Sequence, residues 1–199
     1  MRKYLFITLL ALASVMAYAQ PRAIGVRLGE FDGISYQHGF NGGMLEFEAG
    51  FNFGNYWGNR MVGWEDGHEW HMYGHNVQAG VTYDWIDPLG ATFPTMPKGE
   101  WHWYAGFGAV GGFGWYGYVY DATARATAGH DSNWGFAAGA GRIGVEYDFW
   151  FPLQISLDYR PTLGAGLVGI VDPVTGKHKV DAGLYYDLFG LCLGVRYKF

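Results

Sequence analysis

The chain has a single cysteine, Cys192, in 199 residues, so no internal disulfide can brace it. Past the first 19 residues it has no apolar run of 18, which excludes a membrane-spanning helix there. No stretch shows convincing helical periodicity. Charge is sparse as well. Only 16% of residues are Asp, Glu, Lys or Arg, with 13 basic against 18 acidic and a net charge of −5. No basic patch exists, so nucleic acid is excluded as a partner. What the chain does have is glycine and aromatics: 33 Gly, 9 Trp, 15 Tyr and 14 Phe. That many aromatics exclude a disordered chain. The glycines follow no third-position period, which excludes collagen. Half the residues are hydrophobic, yet mean hydropathy is −0.03.

The N-terminus reads as an export leader. Arg2 and Lys3 form a basic start, residues 4–17 an apolar stretch, and Ala17-Tyr18-Ala19 a small-residue cleavage site. The expectation is a signal peptide over residues 1–19 and one mature domain over 20–199, two charges more negative after cleavage.

The C-terminus is the most informative segment. In steps of two from Phe199 lie Tyr197, Val195, Leu193, Leu191 and Phe189. The other parity is Lys198, Arg196, Gly194, Cys192 and Gly190. Period two is a strand with one apolar face. Seven earlier segments alternate likewise, beginning near Ile24, Ile34, Leu45, His75, Trp101, Ile143 and Leu153. The fold class expected is therefore all-β: an eight-stranded antiparallel up-and-down barrel. On one parity nearly every residue is aliphatic or aromatic. On the other lie Arg27, Glu46, Glu48, Arg142, Glu146, Asp148, Asp158, Arg160, Arg196 and Lys198.

A soluble barrel turns its apolar face inward, whereas an outer-membrane barrel turns it to lipid. Three features favour lipid. Trp57, Trp70, Trp85, Trp101, Trp103, Trp115, Trp134 and Trp150 sit at strand ends, as interfacial belts would. Short connections at 41–43 and 150–152 alternate with long polar ones at 54–69, 117–133 and 162–177. The leader supplies a route through the periplasm. A tilted residue climbs roughly 2.4 Å of membrane normal, which puts Asp187, on the lipid-facing parity, about 29 Å above Phe199 and at the edge of the hydrocarbon.

Four stretches carry a family resemblance: Ala23-Ile24-Gly25-Val26-Arg27-Leu28-Gly29, Gly144-Val145-Glu146-Tyr147-Asp148-Phe149, Ile155-Ser156-Leu157-Asp158-Tyr159-Arg160-Pro161 and Gly194-Val195-Arg196-Tyr197-Lys198-Phe199. The chain resembles the small eight-stranded outer-membrane barrels of Gram-negative bacteria, of the OmpX and OmpA-transmembrane type. The resemblance implies a bacterial outer-membrane location and contact with outer-membrane lipid and lipopolysaccharide. It also implies insertion by the barrel-assembly machinery, with Val195, Tyr197 and Phe199 as the C-terminal signal. A monomer is expected, with external loops open to a partner. These motifs specify architecture and not activity, since many such barrels have no assigned activity.

The ten charged residues of the polar parity balance, five cations against five anions, and read as a packed ionic lumen. Three other groups bear on chemistry. His130-Asp131-Ser132-Asn133 resembles the His-x-Ser-Asn element of outer-membrane lipid A deacylases, with His130 as base and Ser132 as nucleophile. An unbroken strand would turn both into the lumen, away from acyl chains. His68, Glu69, His71 and His75 lack the spacing of a helical zinc motif, because His71 and His75 on a strand stand ~13 Å apart. The glycines from Gly106 to Gly114 precede no helix and form no phosphate loop. The expectation is a non-catalytic structural or surface-interaction barrel without cofactor or metal. The alternatives are a lipid-modifying barrel enzyme and a narrow channel.

Overall fold

The computed structural model describes residues 22–40, 42–53, 60–65, 68–90, 98–121, 126–171 and 178–199. Every regular element among them is a strand: β1 (Arg22–Gly29), β2 (Asp32–Phe40), β3 (Gly43–Asn52), β4 (Arg60–Glu65), β5 (His68–Pro88), β6 (Gly99–Asp121), β7 (Ala126–Phe149), β8 (Leu153–Tyr159), β9 (Thr162–Val171), β10 (His178–Asp187) and β11 (Leu191–Lys198). All pairings are antiparallel. They close into an eight-stranded barrel in the order β1, β2, β3, β5, β6, β7, β8, β11 and back to β1. The alternating segments of the sequence are its walls, and the expected fold class is the one observed.

The barrel has a second storey. β3 and β4 are two parts of one wall, as are β8 with β9 and β10 with β11, while β5, β6 and β7 run through both storeys. The β1–β2 hairpin turns at Glu30-Phe31 and goes no further. Above its tip, β10 pairs directly with β4 through Leu184↔Val62, Tyr185↔Met61 and Tyr186↔Arg60. A six-stranded ring of β4, β5, β6, β7, β9 and β10 thus stands on the eight-stranded barrel. Glycine makes two tight hairpin turns possible. Gly29 (φ 135°) enters the β1–β2 turn, where its N–H donates to Asp32 Oδ1 at 3.1 Å, and Gly42 (φ 75°) lies in the β2–β3 turn.

This ring corrects the loop assignments. The expected long loops at 54–69, 117–133 and 162–177 contain β4, the upper ends of β6 and β7, and all of β9. The physical reason is visible along β9. Leu163 and Leu167 face out and Thr162, Gly166 and Val168 face in. With almost no charge on either side, hydropathy does not alternate.

The last wall is corrected too. Alternation from Phe189 to Phe199 predicts one strand, but the chain breaks at 188–190, where Leu191 N–H bonds back to Phe189 O at 2.7 Å. The break switches parity. On β10 Tyr185 and Asp187 point inward, whereas on β11 Cys192, Gly194 and Arg196 do. Asp187 is therefore fully buried rather than facing out.

Candidate functional site in the barrel interior

In the eight-stranded storey the apolar parity faces out and the charged parity faces in. On β1, Ile24, Val26 and Leu28 are about half exposed, at 50%, 47% and 50%, while Arg27 between them is wholly buried. Neighbouring walls repeat the arrangement, with Ile34, Phe47, Phe51, Leu157 and Leu193 outside and Gln37, Glu46, Glu48, Asp158 and Arg196 inside. Two-residue periodicity in registered strands produces this without further instruction.

Glu46 is the hub of the interior. Its carboxylate accepts from Arg27 at 3.1 Å, Arg142 at 2.5 Å, Arg196 at 2.7 Å and Gln37 at 3.0 Å. Asp158 accepts from Arg27 at 2.6 Å, Arg142 at 3.1 Å and the Tyr104 hydroxyl at 2.9 Å. Arg142 also donates to Asp84 at 3.0 Å and lies over the Tyr104 ring. Arg196 completes its fork on Ser35 at 2.9 Å and Ser156 at 2.7 Å. Three arginines thus meet three carboxylates, Glu46, Asp84 and Asp158, all with fully buried side chains. Each buried charge costs several kcal/mol to desolvate, which only dense charge-assisted bonding offsets.

Arg160 sits above this knot. It contacts Glu48, lies 3.4 Å from Glu30 and stacks on Phe31. Phe31 is completely buried, turned in at the hairpin tip beside Gly33 and Gly50, where a Cβ would strike its ring. Asn52 donates to the Glu30 carbonyl at 2.7 Å. The hairpin tip is thereby a floor between the storeys. Beyond it the filling among the described residues is mainly apolar: Met61, Met72, Val110, Trp134, Phe136, Val168 and Tyr185 form one cluster, with the buried amides Asn76 and Gln78 at the same level. The Phe136 and Tyr185 rings stack at 3.8 Å. Gly112 and Gly114 leave room for Phe136 and Trp134 on the adjacent strand. Trp134, expected in an outer belt, is therefore an interior residue with only 3% exposure.

Of the ten expected network residues, Arg27, Glu46, Glu48, Arg142, Asp158, Arg160 and Arg196 come together. Lys198 and Asp148 pair separately at 3.2 Å near the end where β1 begins and β11 finishes. Glu146 has a buried Oε2 without a hydrogen-bond partner. Asp84, Tyr104 and Glu30 are members that the sequence pattern did not single out. Asp84 and Tyr104 have the inward parity, which is the available signal. Glu30 is brought in only by the hairpin turn. Tyr197 and Phe199 project outward, with Val195 part-exposed. The backbone of Ser132 pairs with Gly117 beside a register shift in β7, so that strand is not regular there. The side chains of His130 and Ser132, like those of His68, Glu69 and Trp70, lie outside the described residues, as does Trp57.

No protein-family model matches the chain, and no curated protein sequence matches it. Among solved structures it is similar to a major outer membrane protein from Thermus thermophilus, over 92% of this chain and all of that one, with a TM-score of 0.51 and 12% sequence identity. At that identity the likeness speaks for the barrel fold alone.

Proposed function

We propose that the chain is an integral outer-membrane barrel with a filled interior, serving a structural or surface-interaction role rather than catalysis or conduction. One observation carries the reading. The eight-stranded storey is inside out for water, with its aliphatic and aromatic parity exposed and its arginines and carboxylates buried. A water-facing barrel has the opposite polarity. An exposed apolar wall of this extent needs an apolar environment. Supporting it, Trp85, Trp103, Trp150, Tyr197 and Phe199 are exposed around the end where β11 finishes, as a belt at a headgroup layer would be.

Under this reading residues 1–19 are removed on export, so intact mass should begin at Gln20. The barrel-assembly machinery reads the terminal Val195, Tyr197 and Phe199. Contacts with lipopolysaccharide or an external partner fall to the end that carries the six-stranded ring. Both fillings argue against a conducting lumen. The knot of Arg27, Arg142 and Arg196 occupies one storey and the Phe136 cluster occupies the other.

Membrane fractionation is the decisive experiment. The protein should stay with outer membranes through alkaline carbonate washing, require detergent for release, and migrate faster on gels when unheated. A freely soluble, detergent-independent protein would overturn the proposal. In planar bilayers no stepwise conductance is expected, and defined single-channel steps would refute the filled lumen. Outer-leaflet lipid mass spectra should be the same with and without the protein.

A further inference from the structure

At the end of the barrel opposite the six-stranded ring, a cavity of about 270 Å³ opens among residues including Arg22, His102, Glu146, Asp148, Gln154 and Lys198. Strand register gathers the chemistry there. His102 on β6 lies directly opposite Glu146 on β7, and Asp148 follows two residues along on the same face. One donor atom each from His102, Glu146 and Asp148 lies within 4.8 Å of the other two. His102 Nδ1 is 4.0 Å from Asp148 Oδ2. The Glu100 carboxylate stands 3.6 Å from Nε2, on the other ring nitrogen, which leaves Nδ1 for the cavity.

The second observation is the state of Glu146. Elsewhere in the interior Glu46, Glu48, Asp84 and Asp158 each meet an arginine, whereas Asp187, buried like Glu146, makes no ion pair with one among the described residues and keeps an unpartnered Oδ2. Glu146 is only 2% exposed, and its Oε2 has no hydrogen-bond partner. Asp148 Oδ1 and His102 Nδ1, both buried atoms, have none either. A buried polar atom without a partner calls for an explanation, of which a bound water or ion is one. Here three residues that carry such atoms, His102, Glu146 and Asp148, line one cavity.

We propose that His102, Glu146 and Asp148 bind a divalent transition-metal cation of the zinc class at this mouth of the barrel. One imidazole nitrogen and two carboxylate oxygens are a zinc-type donor set, with water completing a tetrahedron. Donors around such an ion lie about 3–3.5 Å apart. Small rotations of His102 and Asp148, whose side chains are 17% and 24% exposed, would close the set. The cavity holds an ion with several waters, a water taking ~30 Å³. Two carboxylates neutralise the ion. Lys198, 3.2 Å from Asp148, is the cation paired there that it displaces, its side chain 29% exposed and so able to swing outward, while Arg22 is the second cation lining the cavity. Glu100 then backs the histidine as outer-shell carboxylates do in known sites. The bound ion would clamp β6 to β7 where the filled interior ends.

The test uses the full barrel in detergent, stripped with chelator and titrated calorimetrically with Zn²⁺. One saturable site is expected. His102→Ala and Glu146→Gln should each weaken Zn²⁺ at least tenfold, and His75→Ala, on the outer surface, should not change it. Every variant is first checked for the folded, unheated gel band. Glu146→Gln is nearly isosteric, so it keeps the test open if His102→Ala fails to fold. Co²⁺ bound to the unmutated protein should give ligand-field absorption characteristic of mixed nitrogen and oxygen donors. Lack of saturable binding up to millimolar Zn²⁺ would overturn the proposal. So would equal affinity in Glu146→Gln, or a Co²⁺ spectrum of oxygen donors alone.

Discussion

The two storeys of this barrel share β5, β6 and β7 but differ in filling, one built on an ionic network and the other mainly on apolar side chains with the amides Asn76 and Gln78 among them. The eight-stranded storey encloses Arg27, Arg142 and Arg196 around Glu46 and Asp158, and the six-stranded ring encloses Met61, Met72, Trp134, Phe136 and Tyr185. Width accounts for part of the difference. Barrel diameter grows roughly linearly with strand number. The wider storey has room for long side chains to reach across and interlock, as Arg196 does from β11 to Glu46 on β3. The narrower ring is filled by stacked rings and methionines, set against small residues such as Gly112, Gly114 and Gly166 on its walls. The outer faces follow from the fillings. An ionic interior consumes one parity in charge and leaves a clear alternation. An apolar interior gives a strand such as β9, apolar on both sides.

The comparison breaks most severely at Glu46. Glu46→Ala leaves three arginines around a vacated hub and should cost about 3–5 kcal/mol or prevent folding, read by urea titration of the unheated gel band. In the ring, Phe136→Ala should cost about 3 kcal/mol. Its effect is expected to stay local: limited proteolysis should open the ring while the eight-stranded storey keeps its heat-modifiable migration. Loss of both storeys together would show that they unfold as one unit. A smaller contrast concerns the outer wall. Val26→Arg, at mid-height of β1, should destabilise the barrel in lipid by about 2–4 kcal/mol, and Leu184→Arg, on the ring, by about 0–1 kcal/mol. Equal penalties would place the ring inside the hydrocarbon as well. The smallest effect is expected at Lys198→Ala in urea titration, because its ion pair with Asp148 is part-exposed and such pairs contribute under about 1 kcal/mol.

How much is legible follows the same division. β1, β2, β3, β8 and β11 show their parity in plain hydropathy, because polar or charged and apolar residues alternate along them. Five members of the ionic interior, Arg27, Glu46, Glu48, Asp158 and Arg196, lie on those strands, and Arg142 on β7 and Arg160 just past β8 follow the same parity. Asp84 and Tyr104 carry the right parity but do not stand out, since one is a lone acid on a mixed segment and the other a phenol among tryptophans. The ring is not legible. β9 carries no charge between Thr162 and Val171, and β4 is a six-residue strand made only by pairing with β5 and β10. Asp187 is misplaced when period two is carried through the break at 188–190, because the break slips the alternation by one residue and so reverses the strand's faces. His102 lies between two tryptophans with nothing local to mark it. Only its position opposite Glu146 makes it part of a site.

The sequence by itself determined the all-β class, the alternation of the eight-stranded storey and which parity carries the charge, because a strand's faces follow from nothing more than period two. Tertiary structure decided which faces turn inward at each level, that a short first hairpin lets β4 reach β10, and that Glu146 Oε2 is left without a hydrogen-bond partner. Those outcomes depend on register across strands far apart in the chain, and register is a property of pairs of strands that no single segment encodes.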